Sequence, residues 1–433
     1  MYRRGNLLKK IIVEVARVIV GATFIFSGFV KGIDALGFQY KIQDYLVAMD
    51  LKSLFWMALP VAIFLIVLEF SLGVLLLLGV YRKWTTRIIL PVMAFMIPLT
   101  LWIALKNPVK DCGCFGDAFI ISNWATFYKN LVLIALTIIL AINYKNIQPL
   151  YSNKFQKIVA VFTVIFAITF SIYGVVRLQI IDFRPYKIGS NIPQNMFIDP
   201  SESDVFENIF IYEKDGVKKE FTEKNYPWQD STWTFVELKS NLVKEGKKPK
   251  IEDFNIQQLQ FNTITRKWED LGDISQQILG DPNYTLLMVA TQLQDTKWGN
   301  LKDFNLLHEL ATRENIPFYL LTASSTEEIA KWDNQHPNFN NFTYCNSDER
   351  MLKTMIRSNP GLLLLKDGTV LNKWDGFSLP KKDKARQLID KIKNNTYTVE
   401  KQNSAMSVLW IALFFIIPLI IIAIIDRRNN FLK

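Results

Sequence analysis

Apolar positions are distributed in two different ways along this chain. In the first 180 residues they form unbroken runs near 11–30, 57–79, 88–105, 125–143 and 158–178, and a sixth run lies near 406–425. Each approaches the roughly 20 apolar residues that cross a bilayer as a helix. The first run follows a basic start, as a signal peptide does. It is longer than an h-region and no small-x-small cleavage site follows, so it is expected to stay as a helix. Connections are short except for 31–56, whose aromatics and balanced charges predict a segment at the membrane interface. Pro60, Pro91, Pro98 and Pro418 predict kinks that neighbouring helices accommodate.

Between the fifth and sixth runs, polar and apolar residues alternate on short periods. Ile209–Tyr212 and Val217–Phe221 flank Asp215-Gly216 and predict a hairpin. Trp233–Leu238 alternates as a strand does. Leu286–Ala290 and Ile316–Leu321 are short apolar runs suited to strands buried on both faces. Helical spacing recurs over 298–314, 327–334, from Asn346-Ser347-Asp348-Glu349 through Leu352 and Met355, and over 381–395. Leu362–Leu365 and Thr369–Trp374 form a second hairpin about Asp367-Gly368. Strands alternating with helices predict a mixed sheet covered on both faces. The pattern divides the chain into a four-helix membrane unit (1–145), a fifth helix (146–180), a β-rich segment (181–249), an α/β domain (250–395), and a linker, last helix and tail (396–433).

Charge orients these segments. Thirteen Lys and Arg flank one set of helix ends (Arg3, Arg4, Lys9, Lys10, Arg82, Lys83, Arg87, Lys145, Lys154, Lys157, Arg427, Arg428, Lys433). Six flank the other set (Lys31, Lys41, Lys52, Lys106, Lys110, Lys129). The positive-inside bias predicts both termini in the cytoplasm and the Cys-Gly-Cys loop and large polar segment outside. The net charge of +10 does not indicate a nucleic-acid partner, because residues 1–178 carry +11, the tail 426–433 carries +2 and the exposed remainder carries −3.

The densest chemistry is Asp111-Cys112-Gly113-Cys114-Phe115-Gly116-Asp117, in the loop between the third and fourth runs, on the outer side of this topology. Two thiols flanking one glycine can cycle between dithiol and disulfide in a compartment that permits disulfides. Two other readings stand beside that one: a static disulfide bracing a turn, and a metal site. The metal reading lacks the four Cys or His ligands that zinc usually takes, so no metal is expected. Lys106 and Lys110 favour the thiolate while Asp111 and Asp117 oppose it. Cys345 is either a buried, inert thiol or an exchange partner for the pair. Arg17 and Glu69 interrupt apolar runs; they are expected either to pair across the first two helices or, for Arg17 and Glu14, to reach the headgroups. Glu69 is either a functional polar site or half of a helix-locking pair. His308 and His336 sit in unpromising settings, and no phosphate-binding glycine loop is present.

Arg17, Ser27-Gly28-x-x-Lys31, Glu69, Gly79 and above all Asp111–Asp117 resemble the DoxX and MauE (methylamine utilisation) families of small membrane proteins over the first third of the chain. That resemblance implies a link to forming or maintaining disulfides in exported partners. It implies a more distant similarity to quinone-linked oxidases of the DsbB and vitamin K epoxide reductase type. Quinone is therefore the one cofactor suggested. The chain lacks the second membrane-embedded cysteine pair through which those oxidases reach quinone, which argues against direct use. Residues 250–395 resemble a thioredoxin-fold domain: Asn359-Pro360 followed by Leu362–Val370 matches the family's cis-proline turn, strand and hairpin. Gln294–Trp298 stands where the catalytic Cys-x-x-Cys is expected. The arrangement resembles DoxX-family proteins of Bacteroidetes. It implies an all-α membrane bundle plus two further helices, with an exoplasmic α/β thioredoxin-like domain in the periplasm. The expected function is thiol–disulfide exchange or electron relay through Cys112 and Cys114, toward an exported protein substrate or redox partner. The alternative is a non-catalytic scaffold anchored in the bilayer. A solute transporter using Glu69 has no inverted repeat to support it.

Overall fold

The computed structural model describes residues 2–109, 111–244, 246–337, 342–400 and 403–431. Lys110 and Lys433 lie outside them. Among the described residues six helices are long and apolar enough to span a membrane: Leu7–Ile33, Lys52–Leu78, Arg82–Lys106, Asn123–Ile142, Asn153–Val176 and Ser404–Asn429. This is a multi-pass membrane protein.

The membrane unit consists of α1 (Tyr2–Ile33), α3 (Ala58–Leu78), α4 (Arg82–Lys106) and α5 (Asn123–Ile142). The 31–56 connection folds into α2 (Ala35–Ala48) and a 3₁₀ turn, Lys52–Met57. Without a hydrophobic force between helices in lipid, close backbone approach holds the bundle. Gly28 permits that approach: a Cβ there would lie 2.5 Å from the Phe70 nitrogen. The crossing of α1 and α3 at Gly28 and Phe70 sets the residues on either side, Ser27 and Glu69, against each other. Val13, Ala16, Val20, Leu72, Leu76, Ile89 and Leu140 fill the interior.

The fifth span, α6 (Asn153–Val176), packs on α3 and carries the last helix, α13 (Ser404–Phe431). Phe166 meets Phe415 with ring centroids 4.6 Å apart, and Ser152 donates to Asp426 at 2.5 Å. Most of α13 faces outward with Trp410, Phe414, Ile420 and Ile424 exposed, as a lipid-facing helix should.

Two sheets follow. The first has three strands, β1 (Val205–Lys214), β2 (Val217–Thr222) and β3 (Thr234–Lys244), in the order β2-β1-β3. Asp215 and Gly216 both take positive φ, the turn that matches strand twist in a two-residue hairpin. The strand anticipated at 233–238 runs on to Lys244 and is exposed along its whole length.

The second sheet has seven strands in the order β10-β9-β6-β7-β8-β4-β5. The strands are β4 (Gln257–Asn262), β5 (Lys267–Asp273), β6 (Tyr284–Val289), β7 (Phe318–Thr322), β8 (Thr343–Asn346), β9 (Gly361–Lys366) and β10 (Thr369–Asp375). Between them lie α8 (Ser275–Leu279), α9 (Leu301–Arg313), α10 (Thr326–Gln335) and α11 (Glu349–Met355), with α12 (Asp383–Lys393) after β10. Parallel β6 and β7 beside antiparallel β9 and β10, with helices on both faces, are the connectivity of a thioredoxin-like domain. The Asn359–Pro360 peptide that precedes β9 is cis. The residues after α6, with the short α7 (Ile192–Met196), pack into this domain, Tyr186 and Ile192 being buried beside Leu365 and Val370. The segment before the three-stranded sheet therefore belongs to the α/β body.

Candidate functional site

The Cys112–Cys114 loop joins α4 to α5 and lies against the end of α1 and the body of α2. Its shape depends on Gly113, which has φ +67° and no room for a side chain: a Cβ would lie 2.7 Å from Lys41 Cγ. Asp111 Oδ1 accepts from the Gly113 N–H at 2.8 Å, while its Oδ2 pairs with Lys41 at 3.2 Å. Tyr45 donates to the Cys112 carbonyl at 2.5 Å, and Ser27 lies 2.7 Å from the Cys114 carbonyl. At the base of the loop Asn123 donates to Asn107 and to the Val109 carbonyl. Three helices and the loop's own carboxylate thus fix the backbone around the two thiols.

Both thiols are free and buried, and their sulfurs are 2.9 Å apart. They share an apolar enclosure with Ile103, Val109, Met96, Leu99 and Trp102. The pair titrates unequally. The hydrogen bond between the two sulfurs lowers the Cys114 thiol, against the effect of burial and with help from Lys129 and Lys31. That same hydrogen bond, together with burial, pushes Cys112 up. A proton held between two sulfurs this close stabilises a thiolate on the other, which is what a dithiol needs for exchange.

Beneath the loop, inside the bundle, Glu69 takes Lys31 at 2.8 Å on both carboxylate oxygens, and the Ser27 hydroxyl lies 2.7 Å from Glu69 Oε2. The expected Arg17–Glu69 pair does not form. Arg17 precedes Lys31 by 14 residues, roughly 21 Å along a helix at 1.5 Å per residue, so one glutamate cannot serve both. Arg17 instead pairs with Glu14 at 3.0 Å and donates to the Leu77 and Gln148 carbonyls, joining helix ends on the far side of the bundle.

The thioredoxin-like domain reaches the loop through the residues before its cis-proline. Arg357 is buried, meets both Asp34 oxygens at 3.0 and 3.1 Å and Asp117 at 3.4 Å, and its guanidinium lies 5.2 Å from the Tyr40 ring centre. Lys353, one turn earlier, sits over the same ring at 4.6 Å. Behind this contact Arg184 and Lys373 share Asp182, and Arg184 donates to Gln179, which in turn donates to Asp34.

At the place where a thioredoxin carries its cysteines, polar side chains close on one another. Asn359 Oδ1 accepts from the Thr291 N–H at 3.0 Å and the Thr296 hydroxyl at 2.9 Å. Ser324 bridges the Leu293 N–H and Gln292. Cys345 has no exposed surface; it lies on β8 between β7 and β4, and burial pushes its thiol up to about 12. A thiol so placed fits the buried, inert alternative of the two that the sequence offered. His308 is packed among Phe318 and Phe342.

Sequence reasoning reached Cys112, Cys114 and Glu69, named Ser27 only through family likeness, and took Lys31 as a flanking charge and a family-like position but not as the partner of Glu69. The four-residue spacing of those two on α1 was a usable signal, since it puts both on one face. It took Lys106 and Lys110 as the cations favouring the thiolate; among the described residues Lys129 and Lys31 act on Cys114, and Lys110 is outside them. Tyr45, Lys41 and Arg357 had no signal.

Residues 9–143 match the family model of the methylamine utilisation protein MauE. Residues 206–245, the three-stranded sheet, match a domain of unknown function (DUF8463). No curated protein matches the chain. Among solved structures, the chain is similar to the C-terminal domain of a protein named as a thiol-disulfide oxidoreductase from Bacteroides thetaiotaomicron, with 16% identity, 29% of this chain and 86% of that chain covered, and a TM-score of 0.22. At that score the likeness establishes nothing by itself, and the thioredoxin-like assignment stands on strand order. The first third of the chain is MauE-like, and it is joined to a thioredoxin-like domain without the catalytic cysteines.

Proposed function

We propose that this MauE-like membrane protein performs thiol–disulfide exchange through Cys112 and Cys114, on the exoplasmic face of a bacterial inner membrane, with an exported protein as partner. The observation that carries this reading is the pair itself: two free thiols 2.9 Å apart, in a loop held at both cysteine carbonyls. The soluble domain contacts this loop, which supports placing both on one side of the bilayer, and the Lys/Arg bias favours the outer side. In exchange, a partner dithiol gives two electrons and two protons to the Cys112–Cys114 disulfide and becomes a disulfide; the reverse direction reduces the partner. Closing a cycle takes a second partner carrying a disulfide or a quinone.

The scaffold reading draws on the closed polar network at Asn359 and Thr296, where the domain has no thiol to offer. Trapping separates the two. A strain expressing Cys114 alone, with Cys112→Ser, should accumulate mixed disulfides with an exported protein. Absence of any such adduct, with partner thiol status unchanged in the double Ser variant, supports the scaffold.

A further inference from the structure

A buried ion pair lies beneath the cysteine loop and touches it through a single hydroxyl. Ser27 and Lys31 project from one face of α1 toward Glu69 of α3, and the Lys31 and Glu69 side chains are 4% and 15% exposed. Two charges inside a membrane bundle are costly, and the Gly28–Phe70 contact already closes this helix crossing by packing alone. The Ser27 hydroxyl has one proton and two acceptors at 2.7 Å, the Glu69 carboxylate and the Cys114 carbonyl. Its choice couples the ion pair to the position of the loop.

We propose that Lys31 and Glu69 are positioning residues for the Cys114 thiolate: Lys31 favours the negative sulfur, Glu69 holds the ammonium and limits its pull, and Ser27 ties the charge pair to the loop. This rests on the reading of Cys112 and Cys114 as an exchanging pair. In the step served, the Cys114 thiolate attacks a partner disulfide, forms a mixed disulfide and releases the partner's other sulfur as a thiolate. Cys112 then gives up its proton, to that thiolate or to water, attacks the Cys114 sulfur and releases the second partner thiolate. Two electrons pass from the pair to the partner, and the Cys112–Cys114 disulfide is formed.

Other charges surround the same sulfur. From neighbouring helices come Lys129 of α5 and Tyr45 and Lys41 of α2. From the loop come Asp111, Cys112 and Asp117, and from the exoplasmic domain Arg357, paired with Asp34. The test must therefore separate the Lys31–Glu69 contribution by sign.

Full-length protein in nanodiscs is alkylated with iodoacetamide across a pH series, and the rate at Cys114 is read by peptide mass spectrometry. Lys31→Met should raise the midpoint by about one unit, a roughly tenfold loss of rate below the midpoint, the size of effect a nearby opposite charge has. Glu69→Gln should lower it. Lys31→Arg should restore the midpoint. Ser27→Ala leaves every charge in place and should raise the rate across the profile without moving the midpoint. Midpoints that stay put, or that move the same way in Lys31→Met and Glu69→Gln while both variants melt as wild type, overturn the proposal. Should Lys31→Met not assemble, an unmoved Glu69→Gln midpoint overturns it alone. No partner is present in this assay, so its outcome is independent of the trapping experiment.

Discussion

Replacing Arg357 with Gln removes the ion pairs that join the thioredoxin-like domain to Asp34 and to Asp117 of the cysteine loop. Arg357 is 9% exposed and holds both oxygens of Asp34. Breaking a buried ion pair from one side costs about 3–5 kcal/mol, because the remaining charge stays buried. Asp34 keeps two donors, the Gly37 N–H at 2.9 Å and Gln179 at 3.0 Å, which places the expected loss near the lower end, about 3 kcal/mol. Every 1.4 kcal/mol is tenfold, so the undocked population should rise about 100-fold. Alkylation of Cys112 and Cys114 through the undocked state should accelerate in proportion, and amides of α2 and α11 should exchange faster. Arg357→Lys keeps the charge but not the two-pronged contact and should fall between. The contact also carries a pH signature. Burial raises the Asp34 carboxyl, but Arg357 and Arg184 outweigh it and hold it below the usual range. A depressed carboxyl stabilises docking above its free value near 4 and loses that stabilisation as pH falls through the docked value. Unchanged alkylation and exchange in a folded Arg357→Gln variant would falsify the clamp.

Gly113→Ala forces a side chain into a left-handed position against Lys41; it should destabilise the loop by about 1–2 kcal/mol and raise thiol reactivity, read by alkylation at neutral pH. Cys345→Ala should leave partner trapping intact, and in wild type Cys345 should resist maleimide until the domain is denatured. Burial lowers the Lys373 ammonium to about 8 despite Asp182. The unfolded lysine binds a proton that the folded one has lost between pH 8 and its free value near 10.4, so stability should rise with pH across that window, by at most about 3 kcal/mol. Denaturant titrations at several pH values check this, and Lys373→Met should flatten the rise.

How much was legible in the sequence follows from which contacts are local. The six spans were readable because an unbroken apolar run has few alternatives in water. The Cys-Gly-Cys loop was readable because two thiols about one glycine carry their chemistry within three residues. The partner of Glu69 was not: helix rise decides it, and a register error of a few turns exchanges Lys31 for Arg17. Arg357 was illegible for a different reason. Nothing near Arg357-Ser358-Asn359-Pro360 points to Asp34, which lies 323 residues earlier and meets it only when the domain docks. The β4–β5 hairpin escaped notice because Gln257–Asn262 and Lys267–Asp273 are mostly polar strands with little apolar alternation, β5 lying at the edge of the sheet.

Exchange requires that Cys112 and Cys114 open and close as a pair in the folded protein. Membranes equilibrated in a series of glutathione buffers, quenched with acid and alkylated with a mass tag, count the free thiols in each. The account predicts a concerted two-thiol transition at these two residues between about −300 and −120 mV, the range of exchanging rather than structural disulfides. A pair that stays bonded, or stays reduced, across the whole series would contradict it.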